Sequence, residues 1–148
     1  MSNGEVAEAM MNHHAQMIGE LKQVVSAVTS NLVAWDEGRD KVVDYLRIEI
    51  LPHAAAEEST VYRIGAQYER LTALIDSMVF EHAIIRGMME ALHLSSTREE
   101  CIVLAAEALK LFSVHAEKEN RFIIADLAPR AEVDLGTMLR NMRHSLVH

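Results

Sequence analysis

Apolar residues recur three and four apart along most of this chain, the period of an α-helix with one face turned to a core. The first stripe runs through Val6, Met10, Met17, Leu21, Val24 and Val28. Ser2, with Glu5 three residues on, makes a capping box at its start, so a first helix is expected from there to about Trp35. Asp36 to Asp40, with Gly38, reads as the turn that follows. A second helix then runs from about Lys41 into the sixties with Pro52 inside it. Proline removes a backbone hydrogen bond and kinks the helix there. Gly65 and the polar residues after it mark a break, and a third helix spans about Glu69 to His93. Thr97 with Glu100 opens a fourth, which ends near Leu127 because Pro129 cannot continue it. Asp134 to Arg143 reads as a short fifth helix, within about 132–145, and His144 and His148 belong to the tail. Short links between long helices make neighbours run in opposite directions. The pattern therefore predicts an all-α fold, an antiparallel up-down-up-down four-helix bundle over about 3–127 with a short C-terminal fifth helix, in one domain spanning 1–148.

Histidine and glutamate interrupt these stripes in a repeated way. Met10, His14, Met17 and Leu21 are matched by Met78, His82, Ile85 and Met89 at an offset of 68. Ile50, His53, Glu57 and Val61 are matched by Phe112, His115, Glu119 and Ile123 at an offset of 62. Each half of the chain thus brings a lone histidine and an HxxxE pair to an apolar face. Residues four apart on a helix point the same way, so each HxxxE offers an imidazole and a carboxylate to one centre.

Burying such groups in an apolar bundle is costly unless a cation holds them, which points to a pair of metal ions. A carboxylate has two oxygens and can span two metals, whereas an imidazole normally ends on one. The expected arrangement places one metal on His14 and His53, another on His82 and His115, with Glu57 and Glu119 bridging. Imidazole with carboxylate suits iron, and manganese or zinc also fits by ligand type. His13 competes with His14, but His82 sits on the same side of its stripe as His14, so the repeat selects His14 and leaves His13 as a neighbour of the ligands or a solvent-facing residue.

Other residues border this set. Glu49, one turn before His53, is either a ligand or hydrogen-bond acceptor or, as the reading favoured here, a solvated carboxylate, since its counterpart at offset 62 is Leu111. Tyr45 reaches toward an iron or packs between helices, and Arg86 pairs with a bridging carboxylate, steers an anion, or sits in a surface ion pair. Glu58 and Glu117 read as a solvated face.

Composition narrows the field. The 148 residues are 50% hydrophobic and only 5% aromatic, with six glycines and two prolines, as suits helices packed through aliphatic and methionine side chains. The formal charge of −8 argues against a nucleic-acid partner. No apolar run is long enough to span a bilayer, and the polar N-terminus does not read as a secretory signal. Cys101 is alone, which excludes an internal disulfide and fits a reducing compartment, so a cytoplasmic protein with no membrane partner is expected, its oligomeric state open. The Glu-x-x-His of ferritin-type sites, the HExxH zinc helix, Gly-rich phosphate loops and the G-x-S-x-G elbow are all absent.

The order His14, His53 to Glu57, His82, His115 to Glu119 resembles the hemerythrin-like, or HHE cation-binding, domains over about residues 5 to 127. The resemblance implies a four-helix bundle carrying a non-haem di-iron centre, oxo- or hydroxo-bridged. Oxygen-carrying members have a further histidine one turn after the third-helix ligand, where this chain has Arg86, which cannot lose its proton. They also close the fourth helix with HxxxxD, where this chain has HxxxE. Both departures count against reversible oxygen carriage.

The expected function is reaction of a di-iron centre with a small oxidant such as hydrogen peroxide, dioxygen or nitric oxide. Two histidines per metal leave positions open, which favours turnover or sensing over carriage, catalase-like or peroxidase-like activity being one concrete form. The alternative is an iron-sensing, oxygen-sensing or oxygen-binding module without turnover.

Overall fold

In the computed structural model, which describes residues 1–147, Ser2 opens the first helix by the reciprocal bonds its spacing predicts. The Glu5 backbone N–H donates to the Ser2 hydroxyl at 3.2 Å, and the Ser2 backbone N–H donates to Glu5 Oε2 at 2.7 Å. His148 lies outside the described residues. Helix α1 (Asn3–Thr29) stops well short of Trp35, because Asn31 takes the left-handed conformation at φ 56°. Trp35 instead begins α2 (Trp35–Tyr45), so the segment Asp36 to Asp40 is helix and not turn. Gly38 serves close packing: a Cβ there would lie 2.6 Å from Val28 Cγ2, so its absence lets α2 press against the end of α1.

Pro52 distorts the second long helix one turn earlier than its own position. Its ring crowds the carbonyl four residues back, and the helix widens into a π turn (Leu46–Ile50) in which the Leu51 N–H bonds to the Leu46 carbonyl. Helix α3 (Leu51–Ser59) carries His53 and Glu57. It breaks at Thr60, φ −126° and ψ −88°, and resumes as α4 (Val61–Gly65). Helix α5 (Glu69–His93) has the bounds its stripe predicts, and α6 (Arg98–Lys118) begins behind the Thr97 cap. A second π turn (Glu119–Ile124) leads into α7 (Ala125–Leu127). The final helix, α8 (Leu135–Val147), runs beyond the expected 145. Asn3 pins its start to α1, donating to the carbonyls of Ala128 and Val133 and accepting from the Leu135 N–H.

The described residues contain helices and no strand. Helix α1 packs on α2, α6 and α8, and α5 packs on α2 and α6. Two apolar clusters fill the bundle. One gathers Val6, Met10, Tyr62, Met78, Ile123 and Leu127; the other gathers Met17, Leu21, Leu46, Ile85, Leu92 and Phe112. His14, His53, His82 and His115 each fall in sequence between residues of the two clusters. A polar layer therefore crosses the bundle between two oily halves. Among the described residues no helix is long and apolar enough to cross a membrane.

Candidate metal centre

All six residues singled out by the repeat lie in that layer, and each is at most 5% exposed. His14 Nε2 stands 3.4 Å from His53 Nε2, and His82 Nε2 stands 2.9 Å from His115 Nε2. The carboxylates lie between these pairs. Glu57 Oε1 is 3.5 Å from His53 Nε2 and 3.8 Å from His82 Nε2. Glu119 places Oε1 3.6 Å from His14 Nε2 and Oε2 4.0 Å from His115 Nε2. Each glutamate thus faces both imidazole pairs, through one oxygen or through two.

Hydrogen bonds on the outer ring nitrogens show what these imidazoles offer. His14 Nδ1 lies 2.7 Å from Asn120 Oδ1, His82 Nδ1 3.3 Å from Glu58 Oε1, and His115 Nδ1 3.0 Å from Glu81 Oε1. These oxygens accept, so the hydrogen sits on Nδ1 and the bare lone pair of Nε2 points inward. Lys118 Nζ holds both oxygens of Glu81 at 3.0 Å. Two lone pairs 2.9 Å apart repel unless a cation lies between them. Donors at about 2.1 Å from a metal are spaced by roughly 3.0–3.4 Å, close to what is seen here. Buried Glu57 Oε2 has no hydrogen-bond partner either, as a metal-directed oxygen would not. The residues present therefore fit a metal cation, and two overlapping groups could hold one: His14, His53 and Glu57, and Glu57, His82 and His115.

Charge tells the same story. Glu119 is pushed well above the usual carboxylate range, first by burial and then by Glu57 beside it. Burial pushes Glu57 the same way, but the His53 imidazole, with Glu119 and His14 beside it, outweighs it and holds Glu57 well below that range. The shifts are opposite, so Glu119 is the member of the pair that holds a proton more tightly, and a bound dication would favour the charged form of both. His115 is held low by burial and by His82. Burial also acts to lower His14, yet Glu57 and Asn120 prevail and its pKa is raised.

Of the bordering residues, His13 is exposed, its ring centroid 5.2 Å from that of His53. Tyr45 does not join the centre: its hydroxyl donates to Glu20 Oε2 at 2.7 Å and to the Met17 carbonyl at 3.2 Å, tying α2 to α1. Glu49 and Arg86 are exposed, and their side chains form no hydrogen bond or ion pair among the described residues. Glu58 corrects the solvated reading, since half-exposed as it is, it reaches back to His82. Glu117 remains on the surface, paired with Arg121.

Tyr62 was missed. Its hydroxyl donates to Glu119 Oε2 at 2.8 Å and lies 3.2 Å from His115 Nε2, and its ring stacks on His82 with centroids 5.5 Å apart. Burial, then Glu57 and Glu119, raise its pKa, so the phenol keeps its proton when no metal competes for the oxygen. In a straight helix nine residues turn through about 900°, which would set Tyr62 opposite His53. The break at Thr60 turns it inward. Asn120 and Glu81 were missed too, although the register held a signal: Asn120 is the counterpart of Glu58, and Glu81 of His13.

The chain matches no curated protein and no solved structure at a significant level. A family model does match, across residues 5–127, the stretch that supplies every side chain of the polar layer. By that match, and with imidazole lone pairs and paired carboxylates turned on one point as cation binding requires, the chain belongs to the hemerythrin HHE cation-binding domain family.

Proposed function

We propose that this protein holds a non-haem di-iron centre and reacts with a small oxidant, hydrogen peroxide first, in a catalase-like or peroxidase-like manner. His14 and His53 would hold one iron and His82 and His115 the other, with Glu57 and Glu119 shared between them, in an antiparallel up-down-up-down bundle. The single observation that carries this reading is the two-sided position of both carboxylates between two imidazole pairs. Manganese or zinc is accommodated by the same donors. A lone, buried Cys101 accords with a cytoplasmic setting.

When bound, the two irons supply the electron-transfer chemistry for the oxidant's O–O bond. The chain supplies the rest. Glu58, Glu81 and Asn120 fix the imidazole tautomers, so that Nε2 is free. Tyr62 holds an exchangeable proton beside the centre, its hydroxyl donating to Glu119 Oε2 at 2.8 Å. The two apolar clusters exclude bulk water on either side.

Iron-loaded protein should evolve oxygen from hydrogen peroxide in proportion to its iron content, with a visible spectrum that changes on addition of peroxide. His82→Ala should abolish both. Iron-loaded protein that neither consumes peroxide nor changes colour would refute the reading.

A further inference from the structure

A cavity of about 180 Å³ lies between α1, α8 and one side of the polar layer. Its floor is polar, formed by His14, His53 and Glu119. Its walls are apolar: Met10 and Val61 on one side, Leu139, Met142 and Leu146 on the other. The last three are spaced three and four apart, so α8 presents one continuous stripe to the cavity. His13 and Arg143, both exposed, stand at the mouth. His82 and His115 take no part in the lining, and the Tyr62 ring covers His82 on its own side. Access from solvent therefore reaches the His14–His53 position.

We propose that this cavity binds a compact organic molecule with a single oxygen head, of the alkyl or aryl hydroperoxide class, together with the corresponding alcohol. The substrate class builds on the peroxide reading above. Size carries the first step: a water molecule's share of liquid is about 30 Å³, and a dry apolar cavity of about 150 Å³ takes benzene. Hydrogen peroxide alone would leave most of this volume unfilled. Polarity carries the second. Apolar walls reward burial of hydrocarbon in proportion to area and offer nothing to a small polar oxidant. The polar groups sit at the floor, so a bound molecule with one apolar end turns its oxygen head to His14, His53 and Glu119 and lays its body along α8. Arg143 at the mouth disfavours a cationic ligand.

Cumyl alcohol titrated into zinc-loaded protein, where no redox chemistry intervenes, tests the binding directly by NMR. Saturable shifts confined to methyl groups that line the cavity, those of Met10, Val61, Leu139, Met142 and Leu146 among them, are expected, and they should vanish in Leu139→Trp. Ala9, on α1, also lines the cavity, so Ala9→Phe fills it from the wall opposite α8 and should act alike if the tryptophan variant fails to fold. In protein loaded with two ferrous ions, whose oxidation to ferric would supply the two electrons that, with two protons, turn the hydroperoxide into alcohol and water, either variant should lower the single-turnover rate with cumene hydroperoxide at least tenfold relative to that with hydrogen peroxide. Absence of saturable binding, or an unchanged ratio of the two rates in both variants, overturns the proposal. Loss of reaction with hydrogen peroxide in unaltered protein, while cumyl alcohol still binds, would instead sink the peroxide reading and leave the cavity assignment standing.

Discussion

His53 and His115 occupy matching places in two helices, yet Glu81 accepts from the outer nitrogen of His115 while the outer nitrogen of His53 is buried without a partner. The same contrast separates the lone histidines: Glu58 backs His82, whereas a neutral amide, Asn120, backs His14. Tyr62 adds a phenol to the His82–His115 side, and the cavity opens on the other. Inner residues keep the repeat and outer ones depart from it. The difference matters because a carboxylate behind an imidazole raises its basicity and fixes its orientation, and loss of such a partner typically weakens metal binding 10–100-fold. The His82–His115 position should accordingly bind metal first and release it last, leaving the other position as the exchangeable one.

Removing a ligand from each side gives the largest effect. His115→Ala should weaken the tighter step by more than the 10–100-fold that an outer contact is worth, whereas His53→Ala should spare that step; metal analysis after gel filtration distinguishes them. Equal losses would break the comparison. Next, Glu81→Gln should weaken the tighter step by about 10–100-fold, and Asn120→Ala the weaker step only, as read by calorimetric titration.

The two glutamates differ in pH response in the metal-free protein. Glu119 has its pKa raised by folding, so its stabilising effect is full at low pH, below the ordinary carboxylate value, and is lost as pH rises through the raised value. Glu57 is lowered, so its contribution is present above the ordinary value and is lost as pH falls through the lowered one. Glu119→Gln should therefore flatten the loss of thermal stability toward high pH, and Glu57→Gln should not. Metal binding must displace the Glu119 proton, so affinity should rise with pH over the same range. The smallest effect is expected at Tyr45. Tyr45→Phe removes the bond to Glu20 and should lower stability by about 1–2 kcal/mol in chemical denaturation, with metal content unchanged.

Much of this arrangement was legible along the chain, and particular residues show why. The bounds of α5 follow from an uninterrupted stripe between turn residues. His14 was separable from His13 because His82 stands in the same apolar frame, and the structure buries His14 and exposes His13. Gly38 misled: glycine punctuates turns, but it also permits close helix contact, and only the proximity of Val28 decides between the two. Glu58 misled because a charged residue beside a ligand is usually solvated, and its register with Asn120 carried the signal that was passed over.

Helical period and internal repeat are properties of neighbours in the chain, so residue order was enough to specify long helices and the family's donor pattern. Tyr62 needed more, since its place depends on a backbone break at Thr60 that no periodicity announces. The same holds for the unequal backing of the four imidazoles and for the cavity under α8, each of which joins residues far apart in sequence. Distance along a chain does not encode which outer side chains will meet. Packing of the helices around the polar layer does, because it brings a given carboxylate, amide or phenol within hydrogen-bonding reach of a given nitrogen.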